Sequence, residues 1–500
     1  RLGEVHHWIV MEQINVYKKN EVYLKVECDR GIAMELSGYF EFEVPGASFI
    51  PSVRNKMWDG KIRLFNVNTM QIYVGLIQKI KKFAEERSYE VVVHDGLEDT
   101  VDIPLNGLNK FLSDGKFKPR DYQLRAVAHA VRNHRALILS PTASGKSFII
   151  YCLLKYYLRR ECKKALVIVP TTSLVSQLNS DFIDYSEELQ FYYTLLVTGG
   201  KEKSNDNAKI IISTWQSIYK QPKSYFDQFD MIIGDEAHLF KATSLTKIME
   251  KMTDCKYRFG FTGTLDGTVT NKLVLEGLFG PVMRVITTKE LIENNTLAEF
   301  RIKCLVLKYS ELTRKGVARS TYQKEMDFLT SHEKRNSFIK NLTLTRKGNT
   351  LLLFQYVEKH GKPLYEQISA EAAEGRKVFF VYGGVDAETR EEVRAITEKE
   401  NDAIIIASYG TFSTGINIRN LHNIIFASPS KSRVRNLQSI GRGLRKGDNK
   451  EVATLYDISD DLSYKSYNNH TLKHFAVRIK MYNEESFDYK LYNIGIENGN

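Results

Sequence analysis

The sequence has few cysteines, no long apolar run and no repeated or low-complexity tract, and each absence excludes a class of protein. The five cysteines among 500 residues are scattered and form no Cys-x-x-Cys pair. This argues against a disulfide framework and a zinc site, and it fits a reducing cytoplasm. No stretch approaches the roughly 18 uninterrupted apolar residues of a membrane span, so we expect no membrane association. Arg1 is not a natural start, and we expect a few residues to precede it.

The composition is that of an ordinary globular protein with an excess of basic residues. Apolar residues make up 43% and charged residues 26% of the chain, as in other soluble globular domains. At about 150 residues per domain, the length predicts roughly three domains. The net charge of +11 favours a polyanionic partner.

A strand, a loop of small residues and a helix follow one another near residue 140. The apolar run Ala136 to Leu139 leads into the loop, and an apolar-rich helical run, Phe148 to Leu158, follows it. Such a loop cradles phosphates with backbone N–H groups and the helix dipole, while Lys146 reaches the outer phosphates and the Ser147 hydroxyl can hold Mg²⁺. The strict pattern has glycine where this chain has Ser140. The predicted loop residues are Pro141, Thr142, Ala143, Ser144, Gly145, Lys146 and Ser147.

Two adjacent carboxylates end a second apolar strand, Met231 to Ile233. Asp235 is suited to hold the Mg²⁺ bound to the β- and γ-phosphates of ATP, and Glu236 to polarise the attacking water. Adjacent acids can also simply begin a helix. A phosphate loop about ninety residues upstream favours the catalytic interpretation.

The chain from about Pro104 to residue 460 alternates strand-like and helix-like runs, which predicts parallel sheets covered by helices. Ten strand candidates with a single phosphate loop suggest two sheets, and the run Lys289 to Arg301 is a plausible hinge between them. We therefore predict an α/β protein with four parts. They are a small α+β domain at 1–103, two sheet domains at 104–295 and 296–462, and a C-terminal helical tail at 463–500 packed on the second sheet.

The N-terminal domain concentrates positive charge in one segment. Residues 1–100 carry 13 basic and 15 acidic residues, but Arg54 to Arg87 carries eight basic and three acidic residues, with aromatic side chains between them. Basic groups interleaved with aromatic rings can form a nucleic-acid face, for which Lys56, Lys61 and Arg63 are the candidate contacts. A solvated helix and hairpin over a small core explains the same pattern, and both interpretations stay open.

The ordered motifs from about Lys118 to Lys446 resemble those of superfamily 2 helicases. The resemblance implies an ATP-dependent motor built from two RecA-like domains. Arg120, Tyr122 and Gln123 look like the adenine-recognising segment. Thr171, Thr214 and Trp215 lie in segments similar to strand-gripping motifs, and Thr262, Gly263 and Thr264 resemble the segment that links hydrolysis to DNA movement.

The second sheet domain also carries segments that resemble helicase motifs. One contains Thr414, Gly415 and Asn417, and the other contains Gln438, Arg442 and Arg445. Arg442 and Arg445 are three residues apart and would share one face of a helix. Planar guanidinium groups suit the charge that develops on a transferring phosphoryl group, so both arginines are catalytic candidates if this domain closes on ATP.

A closer resemblance, to the UvsW helicases of T-even-like bacteriophages, extends into the N-terminal domain. It is carried by Met57 to Leu64, Gly75 to Phe83, Trp215-Gln216 with Lys220 to Lys223, and Ala407 to Gly415. The resemblance implies an ATP- and Mg²⁺-dependent monomeric helicase of the host bacterial cytoplasm. Its partner would be DNA that is branched or has single-stranded regions, with RNA–DNA hybrid as a further possible substrate.

Three other functions are compatible with parts of the pattern. The catalytic motifs hardly separate a DNA helicase from an RNA-directed helicase. A restriction-type translocase would need a nuclease, and Asp59-Gly-Lys61 with Asp29 could imitate its triad, although the same residues match the UvsW pattern. A binding scaffold with a dead ATPase is disfavoured because Lys146 and Glu236 are intact.

Overall fold

The structure is a computed structural model of the chain. It describes residues 12–44, 47–94, 96–97, 100–141, 144–186, 188, 191, 193–198, 205–241, 243–263, 265, 269–294, 297–411, 418, 420–428, 430–432, 440 and 452–497. Contacts divide the chain into two compact units: Arg1–Ser140 with Gly145–Val285, and Ile286–Asn500 with Pro141–Ser144. No helix among the described residues is both long and apolar enough to cross a membrane.

The strands are β1 Gln13–Lys18, β2 Tyr23–Glu27, β3 Glu41–Glu43, β4 Lys61–Arg63, β5 Gln71–Tyr73, β6 Glu90–Val93, β7 Arg135–Leu139, β8 Ala165–Val169, β9 Leu195–Val197, β10 Ile210–Thr214, β11 Met231–Asp235, β12 Tyr257–Thr262, β13 Val282–Arg284, β14 Glu299–Lys308, β15 Thr350–Phe354, β16 Val378–Val381, β17 Ile404–Ser408, β18 Asn423–Phe426, β19 Val452–Asp461 and β20 Tyr489–Gly495. The α-helices are Arg30–Tyr39, Pro51–Arg54, Ile77–Arg87, Leu105–Leu112, Asp121–Asn133, Lys146–Leu158, Thr172–Tyr185, Trp215–Ile218, Lys223–Phe226, Thr243–Lys251, Val269–Phe279, Thr288–Glu293, Glu311–Val317, Tyr322–Ser331, Glu333–Thr345, Lys362–Glu371, Ala387–Lys399 and His470–Glu484. Single turns of 3₁₀ or π-helix lie at Ala47–Phe49, Val74–Leu76, Ala237–Lys241 and Val357–Gly361.

The N-terminal part of the first unit is a small mixed sheet with two helices. Its strands lie in the order β5-β2-β1-β6, with β1 antiparallel to β2 and parallel to β6. Apolar residues alternate along β1 and β2, so one face packs on the helices around the fully buried Phe40 and Phe83. A separate antiparallel pair joins β3 to β4. The predicted α+β character of this region is confirmed.

A seven-stranded parallel sheet forms the rest of the first unit, in the order β13-β7-β12-β11-β8-β10-β9. Strands β8, β10, β11 and β12 are buried along their whole length. Continuous apolar runs of this kind are expected where helices cover both faces of a parallel sheet. Residue 231 pairs with residue 257 and residue 262 with residue 139, so the carboxyl ends of β7, β12 and β11 meet at one edge.

The second unit has its own seven-stranded parallel sheet, in the order β16-β17-β15-β18-β19-β14-β20. Strands β15 and β18 are fully buried in its centre. Two parallel sheets in tandem confirm the predicted fold class of two RecA-like domains after a small α+β domain.

One sequence prediction needs correction. The tail after residue 463 is not only helical: His470–Glu484 is a helix, but β20 adds a parallel edge strand to β14. Most of β20 is exposed, so it has no apolar run that marks a strand. The run predicted as a hinge overlaps the helix Thr288–Glu293, which has a capping box between Thr287 and Glu290, and the start of β14; its role as a hinge stays a prediction.

The N-terminal sheet is fixed directly to the first parallel sheet. Arg135 at the start of β7 forms a largely buried ion pair with Glu21 (Nη2 to Oε2, 3.0 Å). The hydroxyls of Tyr23 and Tyr73 both donate to Glu250 Oε1, at 3.1 and 2.8 Å. No local sequence pattern indicates these contacts, because each joins residues more than 100 positions apart.

Candidate active site

The predicted phosphate-loop helix, acidic motif and coupling segment meet at the carboxyl edge of β7, β12 and β11. The helix Lys146–Leu158 begins after the loop that follows β7, Thr262 ends β12, and Asp235 ends β11. Carboxyl ends of neighbouring parallel strands are the usual ligand-binding edge of an open α/β sheet. The fold therefore brings together three segments that lie far apart in sequence.

Lys146 lies between the two predicted catalytic acids. Its Nζ is 2.6 Å from Asp235 Oδ1 and 2.8 Å from Glu236 Oε1. Burial alone would lower the pKa of Lys146, but the two carboxylates outweigh burial and raise it, so the ammonium stays charged. Burial raises the pKa of the Asp235 carboxyl, and Lys146 opposes that rise. The arrangement holds a positive charge where the outer phosphates of a nucleotide would bind.

The backbone at Glu236 is in the left-handed region, with φ of +51°. This conformation costs a non-glycine residue on the order of 1–3 kcal/mol. The Glu236 N–H donates to Asp235 Oδ1 at 2.9 Å, which fixes the two acids relative to each other. A strained backbone with both side chains held is typical of a functional site.

The predicted magnesium ligand Ser147 has an aromatic partner. Its hydroxyl lies 2.9 Å from the Tyr185 hydroxyl, at the end of the helix Thr172–Tyr185. Burial raises the pKa of Tyr185, so its hydroxyl is protonated at neutral pH. Sequence reasoning missed Tyr185 because it lies 38 positions from Ser147 in a segment without a motif.

The predicted adenine segment packs against the phosphate loop. Gly145 has φ of +78°, which favours glycine, and a Cβ there would lie 2.3 Å from Gln123 Nε2, so any larger residue would have to displace the Gln123 side chain. The buried Gln123 accepts the Arg120 N–H through Oε1 at 2.9 Å. Arg120 Nη1 donates to the Tyr122 hydroxyl at 2.7 Å, and the Tyr122 ring is buried. Adenine recognition by these residues stays a prediction.

The predicted coupling segment contacts the acidic motif. His238 Nδ1 lies 3.0 Å from Thr262 Oγ1, and both side chains are buried. Thr262 also accepts the Ser140 N–H through its backbone carbonyl at 2.9 Å. Thr262 therefore contacts both the residue that follows β7 and the turn that follows Glu236. Gly263 comes directly after Thr262 in the chain. His238 follows the two acids in the chain and was not among the predicted site residues.

The donor set around Ser147 and Asp235 fits Mg²⁺ in chemical type. A hydroxyl and a carboxylate are hard oxygen ligands, and Mg²⁺ in nucleotide sites takes one or two such ligands and completes its shell with phosphates and water. Among the described residues there is no cluster of three or more His, Cys, Asp or Glu side chains that would cage a metal by itself. These residues therefore suit a metal ion that arrives with a nucleotide.

The candidate strand-gripping residues lie at or after the ends of β8 and β10. Thr171 is the N-cap of the helix Thr172–Tyr185, and its Oγ1 accepts the Leu174 N–H at 3.4 Å. Thr214 Oγ1 lies 2.9 Å from Ser217 Oγ, while Trp215 is half-buried against the core. DNA contact by Thr171, Thr214 and Trp215 stays a prediction.

The basic candidates of the N-terminal domain differ in their surroundings. Lys61 forms an ion pair with Glu41, and Arg63 Nη2 contacts Glu41 at 2.8 Å and Asp59 at 2.6 Å. Lys56 is exposed and enters no ion pair within the described part of the chain. The sequence analysis could not separate them, because the pairing acid Glu41 lies on the neighbouring strand β3.

The remaining candidates lie outside the described residues. They are Thr142, Ala143, Thr264, Thr414, Gly415, Asn417, Gln438, Arg442 and Arg445. Of the loop itself, Ser144 Oγ donates to the Pro141 carbonyl at 2.7 Å and closes a tight turn.

Three family models match the chain. The family described as "DNA helicase UvsW, N-terminal" matches residues 13–94, "Type III restriction enzyme, res subunit" matches residues 116–267, and "Helicase conserved C-terminal domain" matches residues 333–447. The second and third matches cover parts of the two parallel sheets, and the first covers the small mixed sheet.

Several individual proteins are similar to this chain in sequence or in structure. The ATP-dependent DNA helicase UvsW of Enterobacteria phage T4 is 33% identical over 97% of this chain and 100% of its own length. Its crystal structure has a TM-score of 0.51 and covers 97% of this chain and 100% of that one. A DNA 3'-5' translocase, XPB2 of Sulfurisphaera tokodaii, is 24% identical over 59% of this chain and 60% of its own. An HsdR fragment of a type I restriction enzyme from Vibrio vulnificus (17% identity, TM-score 0.58, 84% and 83% coverage) shares the fold alone.

Proposed function

The chain belongs to the UvsW family of ATP-dependent DNA helicases, and from this premise we propose that it unwinds or remodels branched DNA. The proposed substrates are stalled forks, Holliday junctions and R-loops that arise in phage recombination, replication and repair. The observation that carries the proposal is the attachment of the N-terminal domain to the motor sheet through Glu21–Arg135 and Tyr73–Glu250. A DNA-contacting domain held in this way moves with the ATP site.

ATP hydrolysis drives the enzyme, and its chemistry follows from the residues at the sheet edge. Lys146 neutralises charge on the outer phosphates, and Glu236 accepts the proton of the attacking water. Ser147 and Asp235 would hold Mg²⁺, which supplies charge compensation on the phosphates when bound. Arg442 and Arg445 are proposed to stabilise the charge that develops on the transferred phosphoryl group.

The partner is proposed to be DNA with branched or single-stranded regions, with RNA–DNA hybrid as a second substrate. The acting form would be a monomer in the host bacterial cytoplasm. Residues 1–103 would serve as the DNA-binding accessory domain, with Lys56, Lys61 and Arg63 on phosphates. Exposed ion pairs contribute little stability, so phosphates can compete for Lys61 and Arg63 despite Glu41 and Asp59.

The proposal is tested by comparing ATP-dependent strand separation across DNA structures. Forks, Holliday junctions and R-loops should be unwound at least about tenfold faster than linear duplex of equal length. Stimulation of ATP hydrolysis by single-stranded DNA, branched DNA and RNA is measured in parallel. Equal rates on branched and linear DNA, or stimulation by RNA alone, would refute the proposal.

A salt titration tests the accessory domain separately. Each phosphate contact that is lost flattens the slope of log affinity against log salt by roughly 0.9 for duplex DNA. The triple change of Lys56, Lys61 and Arg63 to Ala should flatten the slope for forked DNA by about 2 to 3. Lys56→Ala alone should flatten it by about 1. An unchanged slope in the triple variant would mean that this surface does not contact DNA.

A further inference from the structure

The segment between β3 and β4 exposes two large apolar side chains. Phe49 is 84% and Met57 is 79% exposed, and Phe49 is the most exposed large hydrophobic residue in the described chain. Both lie between β3 and β4, where the structure describes residue 44 and residues 47–60; this described part is here called the 44–60 excursion. Single exposed apolar residues are common, but two of this size in one short segment need a reason.

A backbone hydrogen bond joins the two ends of the described part of the excursion. The Val44 N–H donates to the Gly60 carbonyl at 2.9 Å. Gly60 has φ of +77°, and a Cβ there would lie 2.8 Å from Ala47 Cβ. Trp58 Nε1 donates to the Lys61 carbonyl at 2.9 Å. The backbone therefore presents the apolar side chains from a fixed base.

The turns inside the excursion hold the two residues in place. Phe49 ends the 3₁₀ turn Ala47–Phe49, and the helix Pro51–Arg54 follows directly. The Met57 N–H donates to the Ser52 carbonyl at 2.8 Å. Phe49 and Met57 thus lie on either side of a short helix in the chain, and both side chains are exposed to solvent.

The charges on the excursion indicate what covers it. Arg54 and Lys56 lie between Phe49 and Met57 in sequence, are exposed, and enter no ion pair with other described residues. Exposed apolar side chains in the same short segment as exposed cations match a ligand with flat apolar faces and a polyanionic backbone. Unpaired nucleotides have that chemistry: bases stack on aromatic side chains while phosphates meet lysine and arginine.

We propose that the 44–60 excursion is a strand-separating element, on which Phe49 stacks with an unpaired base at a DNA junction while Arg54 and Lys56 hold the adjacent phosphates. This inference rests on the proposed function, since it needs a junction as substrate. Met57, a flexible and exposed apolar side chain of the same segment, would add apolar contact with the displaced strand.

The test uses a fork that carries 2-aminopurine at the first paired position, with the full chain and a non-hydrolysable ATP analogue. Binding of the wild type should unstack this base, which raises the 2-aminopurine fluorescence. Stacking of the freed base on Phe49 should then quench part of that increase. Phe49→Ala should bind the fork about tenfold more weakly, because a base–aromatic stack is lost. Phe49→Trp should keep the wild-type affinity, and Phe49→Leu should behave as the Ala variant.

Leu312→Ala is the matched control, since Leu312 is 82% exposed on a helix of the second unit. It should retain the wild-type fluorescence change and fork unwinding. If Phe49→Ala and the double variant with Met57→Ala match the wild type in both, the excursion does not contact the junction. If the wild type itself shows no preference for forks, the proposed function fails. If it prefers forks and the variants do too, only this inference fails.

Discussion

Gly75→Ala should separate the N-terminal domain from the first motor sheet. Gly75 lies in the turn Val74–Leu76, directly against the helix Val269–Phe279. A Cβ on residue 75 would lie 2.0 Å from the Glu276 carbonyl oxygen and 2.7 Å from that of Gly277. Both atoms are backbone, so no side chain can turn away to make room.

The expected cost follows from that distance. Ordinary contact begins at 3.4 Å, so the turn has to move away from the helix by about 1.4 Å. Overpacking of this kind costs typically 1–3 kcal/mol. A domain of about 200 residues loses roughly 2–4 °C in melting temperature per kcal/mol. We therefore expect the first unfolding transition to fall by about 2–12 °C, with faster proteolysis of residues 12–94.

The assay is calorimetry together with fork unwinding, and Gly31→Ala is the matched control. Gly31 lies on the helix Arg30–Tyr39, and a Cβ there would meet nothing within 4 Å. The control should be neutral or slightly more stable, because alanine replaces glycine in a helix. Fork unwinding should drop in Gly75→Ala alone. A Gly75→Ala protein with unchanged melting and unwinding would show that the two parts do not need this contact.

Three further outcomes are expected. Lys146→Ala should abolish ATP hydrolysis, whereas Glu236→Gln should bind ATP and trap DNA because only water activation is lost; hydrolysis at the wild-type rate in Glu236→Gln would exclude it as the base. Tyr185→Phe should raise nucleotide affinity in the presence of Mg²⁺ about 2- to 10-fold, because the Ser147 hydroxyl no longer gives up a hydrogen bond; unchanged affinity by calorimetric titration would contradict this competition. Burial lowers the pKa of His360 to about 3. Below about pH 6.5 the unfolded chain takes up a proton on this residue and the folded chain does not, so the free energy of unfolding should fall by up to about 1.4 kcal/mol per pH unit. His360→Gln should show a shallower loss between pH 6.5 and 4.5 in denaturant titrations.

The ATP side of the site was predictable because each part is local in sequence. Lys146 and Ser147 follow an apolar strand, and Asp235 with Glu236 follow another, so strand-then-motif patterns place them at one sheet edge. In the structure Lys146 contacts both Asp235 and Glu236, so the predicted phosphate-binding lysine and the predicted acidic pair lie in one site. Tyr185 was not predictable, because a tyrosine at the end of an amphipathic helix is ordinarily a packing residue.

The fold was predictable to the level of two sheets, but their edges were not. Central strands such as β15 are continuous apolar runs, whereas β20 is mostly exposed and β9 and β13 have three residues each. An exposed or very short strand gains its stability from pairing, which a single sequence does not display. The contact of Gly75 with the helix Val269–Phe279 has the same origin, since it depends on two surfaces 200 positions apart.

The attachment of the N-terminal domain decides how the 44–60 excursion can act. A wedge that hangs on a loose linker would follow the DNA passively, because the junction could displace it at little cost. Here the Glu21–Arg135 ion pair is largely buried, and breaking such a pair by removing one partner costs several kcal/mol. The backbone contact at Gly75 leaves no room for the turn to slide. We therefore expect the N-terminal sheet to follow any displacement of the first motor sheet, and this is the condition under which the proposed stacking on Phe49 would assist strand separation.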